Sequence, residues 1–180
     1  MERVYLSVPT KEEMWFKKEL ESDPKTMDYN AGYNVSYKGY NQNDGTIQED
    51  LKELQDVWFC RWIGYEPSRY FAFIKRVEDD AYIGEVYFKD ETPNGHEIGI
   101  VIKGEYRGRG YATEAISLLC NKADELGIKK LFHQIPDTRL SAIKADLNNG
   151  FVMVKNNIPC GFTKFGKTEN EVLLVRVNSK

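Results

Sequence analysis

A pair of glycines between a strand-like segment and a helix-like segment constrains the fold of this chain most strongly. Residues 97–102 are mostly branched and apolar, and the chain then carries Arg-Gly-Arg-Gly-Tyr-Ala at residues 107–112. Apolar residues at helical spacing follow from Tyr111 to Leu126, and Gly127 marks the end of that helix. A strand, a glycine-rich turn and an amphipathic helix in this order predict a domain in which helices pack on a sheet.

The glycine-rich turn also has the chemistry of a diphosphate-binding site. Gly108 and Gly110 lack a β-carbon, so a ligand can approach the backbone closely. The first turn of the following helix presents unpaired amides and the positive end of the helix dipole. Arg107 and Arg109 could add charge-assisted hydrogen bonds to phosphate. A tight turn that binds no ligand is the alternative that spacing alone leaves open.

Two other phosphate-binding motifs do not fit the sequence. The chain has no Gly-Lys-Ser or Gly-Lys-Thr, which a P-loop nucleotidase requires. A dinucleotide-binding fold expects a third glycine where this chain has Thr113, and expects the motif after its first strand rather than in mid-chain.

The remaining patterns predict a single domain, 1–180, without repeats or linkers. Capping-box patterns at residues 10–13 and 46–49 predict helices to about Glu21 and Trp62, with a long ordered loop at 27–45 between them. Strands are predicted at 4–8, 70–76, 82–89, 96–102, 130–135, 151–154 and 171–177, and a further helix at 140–149. The expected fold class is α/β of the α+β type, with a mixed, mostly antiparallel sheet of six or seven strands and about four helices.

Charge and cysteine content restrict the classes of binding partner and the cellular compartment that we expect for this protein. The net charge is -3; residues 1–90 carry 18 acidic and 12 basic side chains, and residues 91–180 carry 10 and 13. No continuous basic footprint for nucleic acid is visible, and an anionic cofactor would suit the second half. Three widely spaced cysteines match no metal site, and the polar start matches no signal peptide. With no apolar stretch long enough to span a membrane, we expect a cytoplasmic protein that binds neither metal, membrane nor nucleic acid.

The segment at 107–112 resembles a known signature. It fits the Arg/Gln-x-x-Gly-x-Gly/Ala motif of the GNAT superfamily of N-acetyltransferases. Residues 97–102 look like that family's fourth strand, residues 82–86 like the strand before it, and Gly150-Phe151 like the pair that closes its motif region. Residues 111–115 are similar to the helix start of the ribosomal-protein N-terminal acetyltransferase-like branch. The resemblance covers residues 70–155.

The resemblance implies an acyl-CoA-binding core at 70–155 and an acceptor side at 1–69. In this family the fourth and fifth strands splay apart and pantetheine lies between them. Acetyl-CoA is therefore the expected co-substrate, with direct attack by an amine and no covalent enzyme intermediate. The residues expected to hold the co-substrate are Ile100, Val101, Ile102, Arg107, Gly108, Arg109, Gly110, Tyr111, Ala112 and Thr113.

The acceptor amine must lose a proton, which requires a base. Glu97 is the first candidate, because strand alternation places it on one face with Gly99 and Val101. Glu85 on the neighbouring strand is the second. Either glutamate could instead face solvent or pair with a lysine. Tyr29, Tyr33 and His133 are candidate substrate-binding residues, and Trp58 and Trp62 are expected in the same aromatic, acidic half.

One departure from the family keeps a second function open. Many members place a tyrosine near an Asn-x-x-Ser motif ahead of the helix before the closing Gly-Phe, and use it to protonate the departing thiolate. Here Arg139 and Ala142 occupy the motif's places, and no tyrosine occurs between Lys129 and Lys180. The expected function is acetyl transfer to a small-molecule amine or a protein N-terminus by a monomer or homodimer. The alternative is a non-catalytic acyl-CoA-binding sensor or interaction module.

Overall fold

The protein forms one seven-stranded sheet, described for residues 2–178 by a computed structural model. The strand order is β1-β2-β3-β4-β5-β7-β6, and every neighbouring pair is antiparallel except β4 and β5. The strands are β1 (Val4–Ser7), β2 (Arg69–Arg76), β3 (Tyr82–Asp90), β4 (His96–Ile102), β5 (Lys130–Pro136), β6 (Val152–Lys164) and β7 (Lys167–Val177).

Helices cover both faces of the sheet. The helical segments are α1 (Met14–Ser22), α2 (Pro24–Met27), α3 (Leu51–Glu53), α4 (Phe59–Trp62), α5 (Tyr111–Glu125) and α6 (Leu140–Leu147). A π-helical turn (Leu54–Trp58) joins α3 to α4 without a break, so the described chain has five helices. None of the helices within residues 2–178 has the length and apolar character that a membrane crossing requires.

Two apolar clusters fix the helices to the sheet. Side chains of alternate residues on β2, β3 and β4 pack against α5 and α6, with Ala115, Ile116 and Leu119 of α5 fully buried. On the opposite face, Phe71 and Phe73 of β2 pack against buried residues of α1, among them Met14, Phe16 and Leu20. The period-two alternation of the strands therefore separates a cofactor-side face, under α5, from the face that carries α1.

The sheet opens between its two parallel strands. Among residues 2–178, two residue pairs join β4 to β5, His96 with Leu131 and Glu97 with Phe132. From Ile98 to Ile102 the β4 edge has no strand partner on the β5 side within the same range. The expected splay is present, and it places an unpaired stretch of backbone in the middle of the sheet.

Two predicted features differ from the structure. The pattern at 46–49 does not cap a helix, because Thr46 bonds to Asp44 instead, and Asp50 caps α3 by accepting from the Glu53 amide at 3.0 Å. The closing strands extend far beyond the prediction, since β6 and β7 continue to a tight turn at Phe165 and Gly166, both with positive φ. The irregular register of this hairpin breaks the alternation that would have revealed it.

Candidate active site

The β4–α5 loop forms a cradle of free backbone donors. Gly108 and Gly110 have φ of +75° and +83°, the left-handed conformation that glycine adopts most easily. Within residues 2–178, no acceptor is assigned to the six amides from Gly108 to Thr113. These donors lie at the N-terminus of a 15-residue helix, where the helix dipole favours an anion. The geometry fits a diphosphate, and a β-carbon on Gly108 would still stand in open space.

The arginine side chains of this loop have different surroundings. Arg107 is committed to the protein: its guanidinium donates to the carbonyls of Ile102 and Thr26 and forms a 2.9 Å bond with Asp28. It therefore fastens the loop to α2. Arg109 is exposed; its guanidinium donates to the Glu105 carbonyl at 3.2 Å and lies 5.8 Å from the ring centre of Tyr106, and it has no ion pair with a described carboxylate.

Arg3 adds a cation that the sequence did not indicate. Its guanidinium contacts Glu114 in the first turn of α5 and lies 5.0 Å from the ring centre of Tyr111. It is also the nearest group to a β-carbon that would be built on Gly110, at 3.2 Å. The sequence did not indicate Arg3, because this residue directly precedes the edge strand β1 and lies more than a hundred residues from the loop along the chain.

A pocket of about 270 Å³ lies on the opposite face of the sheet, against β3 and β4. Its charged lining residues are Lys17, Glu21 and Glu85, and Val101 of the unpaired β4 edge forms part of its wall. Six aromatic residues complete most of the lining: Tyr29, Tyr37, Trp58, Trp62, Phe71 and Tyr87. The pocket therefore reaches the splay from the side away from α5.

The aromatic wall is held by ring-to-ring contacts. Trp58 and Trp62 stack at 5.4 Å and 14°, because the continuous helix that carries them places them one turn apart. Trp58 meets Phe71 edge-on at 4.7 Å, and Trp62 meets Tyr87 edge-on at 5.2 Å. Such edge contacts fix ring orientations and keep the wall in place.

Lys17 and Glu85 form a buried ion pair in the pocket. Lys17 Nζ lies 3.2 Å from Glu85 Oε1 and 2.7 Å from Glu21 Oε1, with both carboxylate side chains largely shielded from solvent. Burial raises the pKa of Glu85 to about 7, although Lys17 opposes the rise. Burial alone would lower the pKa of Lys17, but Glu21 and Glu85 outweigh it and raise that pKa. Lys17 therefore stays an ammonium ion, and Glu85 titrates near neutral pH.

Glu49 approaches Glu21 from the loop before α3. Each has a buried Oε2 with no hydrogen-bond partner in the described chain, which fits two carboxyl groups that face each other and share a proton. Burial and the neighbouring Glu21 carboxyl raise the pKa of Glu49 to about 8. The pKa of Glu21 is lowered: burial would raise it, but Lys17 outweighs burial. Glu21 is thus the ionised member of the pair.

Glu85 and Glu97 lie in different environments. Glu85 is the direct register partner of Val101, so it faces the pocket beside the unpaired edge. Glu97 lies four residues earlier on β4, about 13 Å along the strand, and pairs with Lys89 at 2.9 Å. The space above Gly99 is filled by the Tyr87 ring, which a β-carbon there would overlap. The surroundings therefore favour Glu85 over Glu97 as a group that meets a substrate.

The three predicted substrate-binding residues lie in three different parts of the structure. Tyr29 lines the pocket, and its ring centre lies 4.6 Å from the guanidinium group of Arg139 and 5.8 Å from that of Arg107. Tyr33 instead donates to Glu169 at 2.5 Å and braces the β6–β7 hairpin. His133 is buried on the α6 side, where its Nδ1 lies 2.8 Å from Asp146.

Tyr29 carries a neutral phenol at the mouth of the splay. Burial raises its pKa to about 12, although Arg139 opposes the rise. Arg139 follows β5 and Arg107 follows β4, so the ring spans the ends of the two diverging strands. A tyrosine from the first half of the chain thus lies beside the segment in which the sequence has none.

Sequence reasoning named Glu85 but missed the other two charged residues of the pocket, Lys17 and Glu21. Tyr29, Trp58 and Trp62 lie in the lining, which agrees with an aromatic first half, and Tyr37 lies there as well. Lys17 and Glu21 look like an exposed i,i+4 helix pair in the sequence. The signal that could have found them is the run Met14, Phe16 and Leu20, which turns the same face of α1 toward the sheet.

Comparison with known proteins agrees with this geometry. Residues 3–152 match the family described as "Acetyltransferase (GNAT) domain". No curated protein sequence is significantly similar to the chain.

Solved structures share the whole fold at low sequence identity. One is spermidine N-acetyltransferase from Vibrio cholerae in complex with CoA and spermine, with a TM-score of 0.76, 16% identity and coverage of 99% of this chain and 97% of that one. Another is an acetyltransferase of the GNAT family from Bacillus anthracis, with a TM-score of 0.72, 15% identity and coverage of 99% and 97%. At these identities the likeness concerns the fold.

Proposed function

This chain belongs to the GNAT acetyltransferase family, an N-acetyltransferase group, and we propose on that premise that it transfers an acetyl group from acetyl-CoA to the amine of a small molecule held in the aromatic pocket. The observation that carries the proposal is the position of Val101. It belongs to the unpaired β4 edge and also lines the pocket, so the two halves of the reaction meet at one residue.

Backbone groups would make almost all of the contacts with acetyl-CoA. The amides from Gly108 to Thr113 would grip the diphosphate, with Arg109 and Arg3 as nearby charges. The edge from Ile100 to Ile102 would bond to pantetheine, and an amide there would polarise the carbonyl, an interaction commonly worth about 3 kcal/mol. Acetyl-CoA supplies the acetyl group on a thioester, so a nitrogen–carbon bond forms as the carbon–sulfur bond breaks.

Glu85 is the proposed base. It lies directly opposite Val101, and its pKa of about 7 allows it to accept a proton from an ammonium ion at neutral pH. Glu97 is the weaker candidate, because its ion pair with Lys89 lies beyond the Tyr87 ring. Tyr29 would donate a hydrogen bond near the leaving sulfur, which requires a proton from a protein group or from water.

A small-molecule acceptor fits the pocket better than a protein N-terminus. The pocket volume of about 270 Å³ is close to the lower end of small-molecule sites, which run from about 300 to 1,000 Å³. The Vibrio cholerae structure holds spermine, which supports an amine of low mass. Residues 1–69 supply Lys17, Glu21, Tyr29, Trp58 and Trp62 to this pocket, which supports their role as the acceptor side. The helix start at 111–115, which resembles the ribosomal-protein branch, does not touch it.

The test is release of free thiol by the purified protein from acetyl-CoA, with and without each member of an amine panel. We expect thiol only when an amine is present, together with the acetylated amine by mass spectrometry. Calorimetry in parallel measures CoA binding. Tight CoA binding without turnover of any amine or peptide would instead support the acyl-CoA-binding module.

A further inference from the structure

The pocket already contains an ammonium group of the protein. Lys17 Nζ lies between the carboxylates of Glu21, at 2.7 Å, and Glu85, at 3.2 Å. It also lies 4.8 Å from the ring centre of Trp58 and 5.6 Å from that of Phe71. Carboxylates and aromatic faces are the groups that bind cationic amines, and here one such position is filled from within the chain.

The charges of the cluster leave room for one further cation. Glu21 and Glu85, when ionised, carry two negative charges and Lys17 carries one positive charge. Glu49 adds little negative charge below its pKa of about 8, because its carboxyl is then mainly protonated. A single negative charge therefore remains, and it balances one ammonium ion.

A second ammonium group on the acceptor would find no further carboxylate among the described residues of the pocket lining. It would lie near Lys17, which would repel it, or against the wall formed by Trp62, Tyr87 and Tyr37, whose rings carry no charge to balance it. That wall instead suits an apolar or aromatic body, since rings pack on rings without loss of hydrogen bonds. The volume of 270 Å³ limits the body to a compact one.

We infer that Lys17 acts as a resident cation that restricts the acceptor to compact monoamines with an apolar or aromatic body, and excludes polyamines. This inference rests on the proposed acetyl transfer and specifies its substrate class. It sets this chain apart from the Vibrio cholerae structure, which holds spermine. Lys17 is here a specificity-determining residue and not a base, because its own proton stays in place between two carboxylates.

Two measurements test the inference. The first is kcat/KM for phenethylamine and isoamylamine against putrescine and spermidine. The second is binding of the same amines to the CoA-loaded protein, followed by tryptophan fluorescence, since two of the chain's three tryptophans line the pocket. We expect the monoamines to be preferred by about tenfold or more in both. Equal or better use of the polyamines by the native protein would overturn the inference and leave acetyl transfer intact.

Substitution of Lys17 separates charge from shape. Lys17→Met removes the resident cation, so the ratio of diamine to monoamine affinity should rise by about tenfold. Lys17→Arg keeps the charge and should keep the preference for monoamines. Lys38→Met is the matched control, because that lysine forms an exposed ion pair with Glu53 and is not among the residues that line the pocket. An unchanged ratio in Lys17→Met would contradict the inference.

A second variant serves if Lys17→Met does not fold. Glu21→Gln removes the residual negative charge and leaves Lys17 paired with Glu85. Its affinity for phenethylamine should then fall toward that for phenethyl alcohol, which has the same shape without a charge. If the native protein fails to distinguish the amine from the alcohol, the charge argument is wrong. If no amine binds or is acetylated at all, the proposed acetyl transfer is wrong, and the inference that rests on it is wrong as well.

Discussion

Gly110→Val should separate folding from co-substrate binding. Gly110 has φ of +83° and precedes the first residue of α5. A residue with a β-carbon pays about 1–2 kcal/mol in this conformation. The nearest group to the new β-carbon is the end of the flexible Arg3 side chain, at 3.2 Å, so crowding adds little. The expected loss of stability is thus about 1–2 kcal/mol, or a melting temperature lower by about 2–8 °C.

The loss of CoA affinity should be larger than the loss of stability. Relaxation of the strained backbone would turn the amides next to Gly110 away from the diphosphate. A hydrogen bond to a charged group contributes about 1.5–3 kcal/mol, so losing one of them should weaken CoA binding by about 10- to 150-fold. Calorimetry with CoA measures this directly, at a temperature where the variant is folded.

Gly127→Val is the matched control for this substitution. Gly127 has φ of +74° at the other end of the same helix, and a β-carbon there would meet nothing within 4 Å. It should lose similar stability and keep its CoA affinity. If both variants bind CoA as the native protein does, the loop at 107–112 does not hold the diphosphate, and the reasoning from free amides is refuted.

Three further predictions concern the pocket. Glu85→Gln should lower kcat/KM by about 100-fold or more, as expected for loss of a base. Glu97→Gln should lower it by less than about threefold. If Glu97→Gln has the larger effect, Glu97 is the base. In the native protein kcat/KM should rise with pH up to about 7, the pKa of Glu85, and a profile that is flat from pH 5 to 8 would exclude that role. The third concerns stability in urea: because the pKa of Glu49 is raised from 4.5 to about 8 in the folded state, its stabilising effect is complete below 4.5 and is lost as pH rises to 8. Between pH 5 and 9 the free energy of unfolding of Glu49→Gln should therefore fall by about 1 kcal/mol less than that of the native protein. This difference is reduced because the carboxyl is partly exposed. If the free energies of unfolding of the two proteins depend on pH in the same way, Glu49 does not share a proton.

The cofactor side of the fold could be predicted because its determinants are local. A glycine pair, an apolar strand before it and an amphipathic helix after it lie within 30 residues, and each has a distinct period or backbone requirement. The bounds of α5 and of β2 to β4 match the prediction within a residue or two. The splay between β4 and β5 came from the family resemblance.

The acceptor pocket could not be predicted in the same way. Its charges come from α1 and β3, and nothing in the local pattern joins Lys17 to Glu85 across 68 residues. Glu49 looked like part of a capping box, but its carboxyl approaches Glu21, and burial raises its pKa to about 8. Tyr33 was grouped with Tyr29 on composition alone, and tertiary packing sends it to the β6–β7 hairpin.

The most direct test of acetyl transfer is a single experiment on the purified native protein, in which free thiol is followed from acetyl-CoA before and after phenethylamine is added. We expect almost no thiol before the addition, and then thiol in an amount equal to that of the N-acetylated product. Thiol released at the same rate without amine would indicate simple hydrolysis, and no thiol under any condition would contradict the assignment of an acetyltransferase active site at Val101.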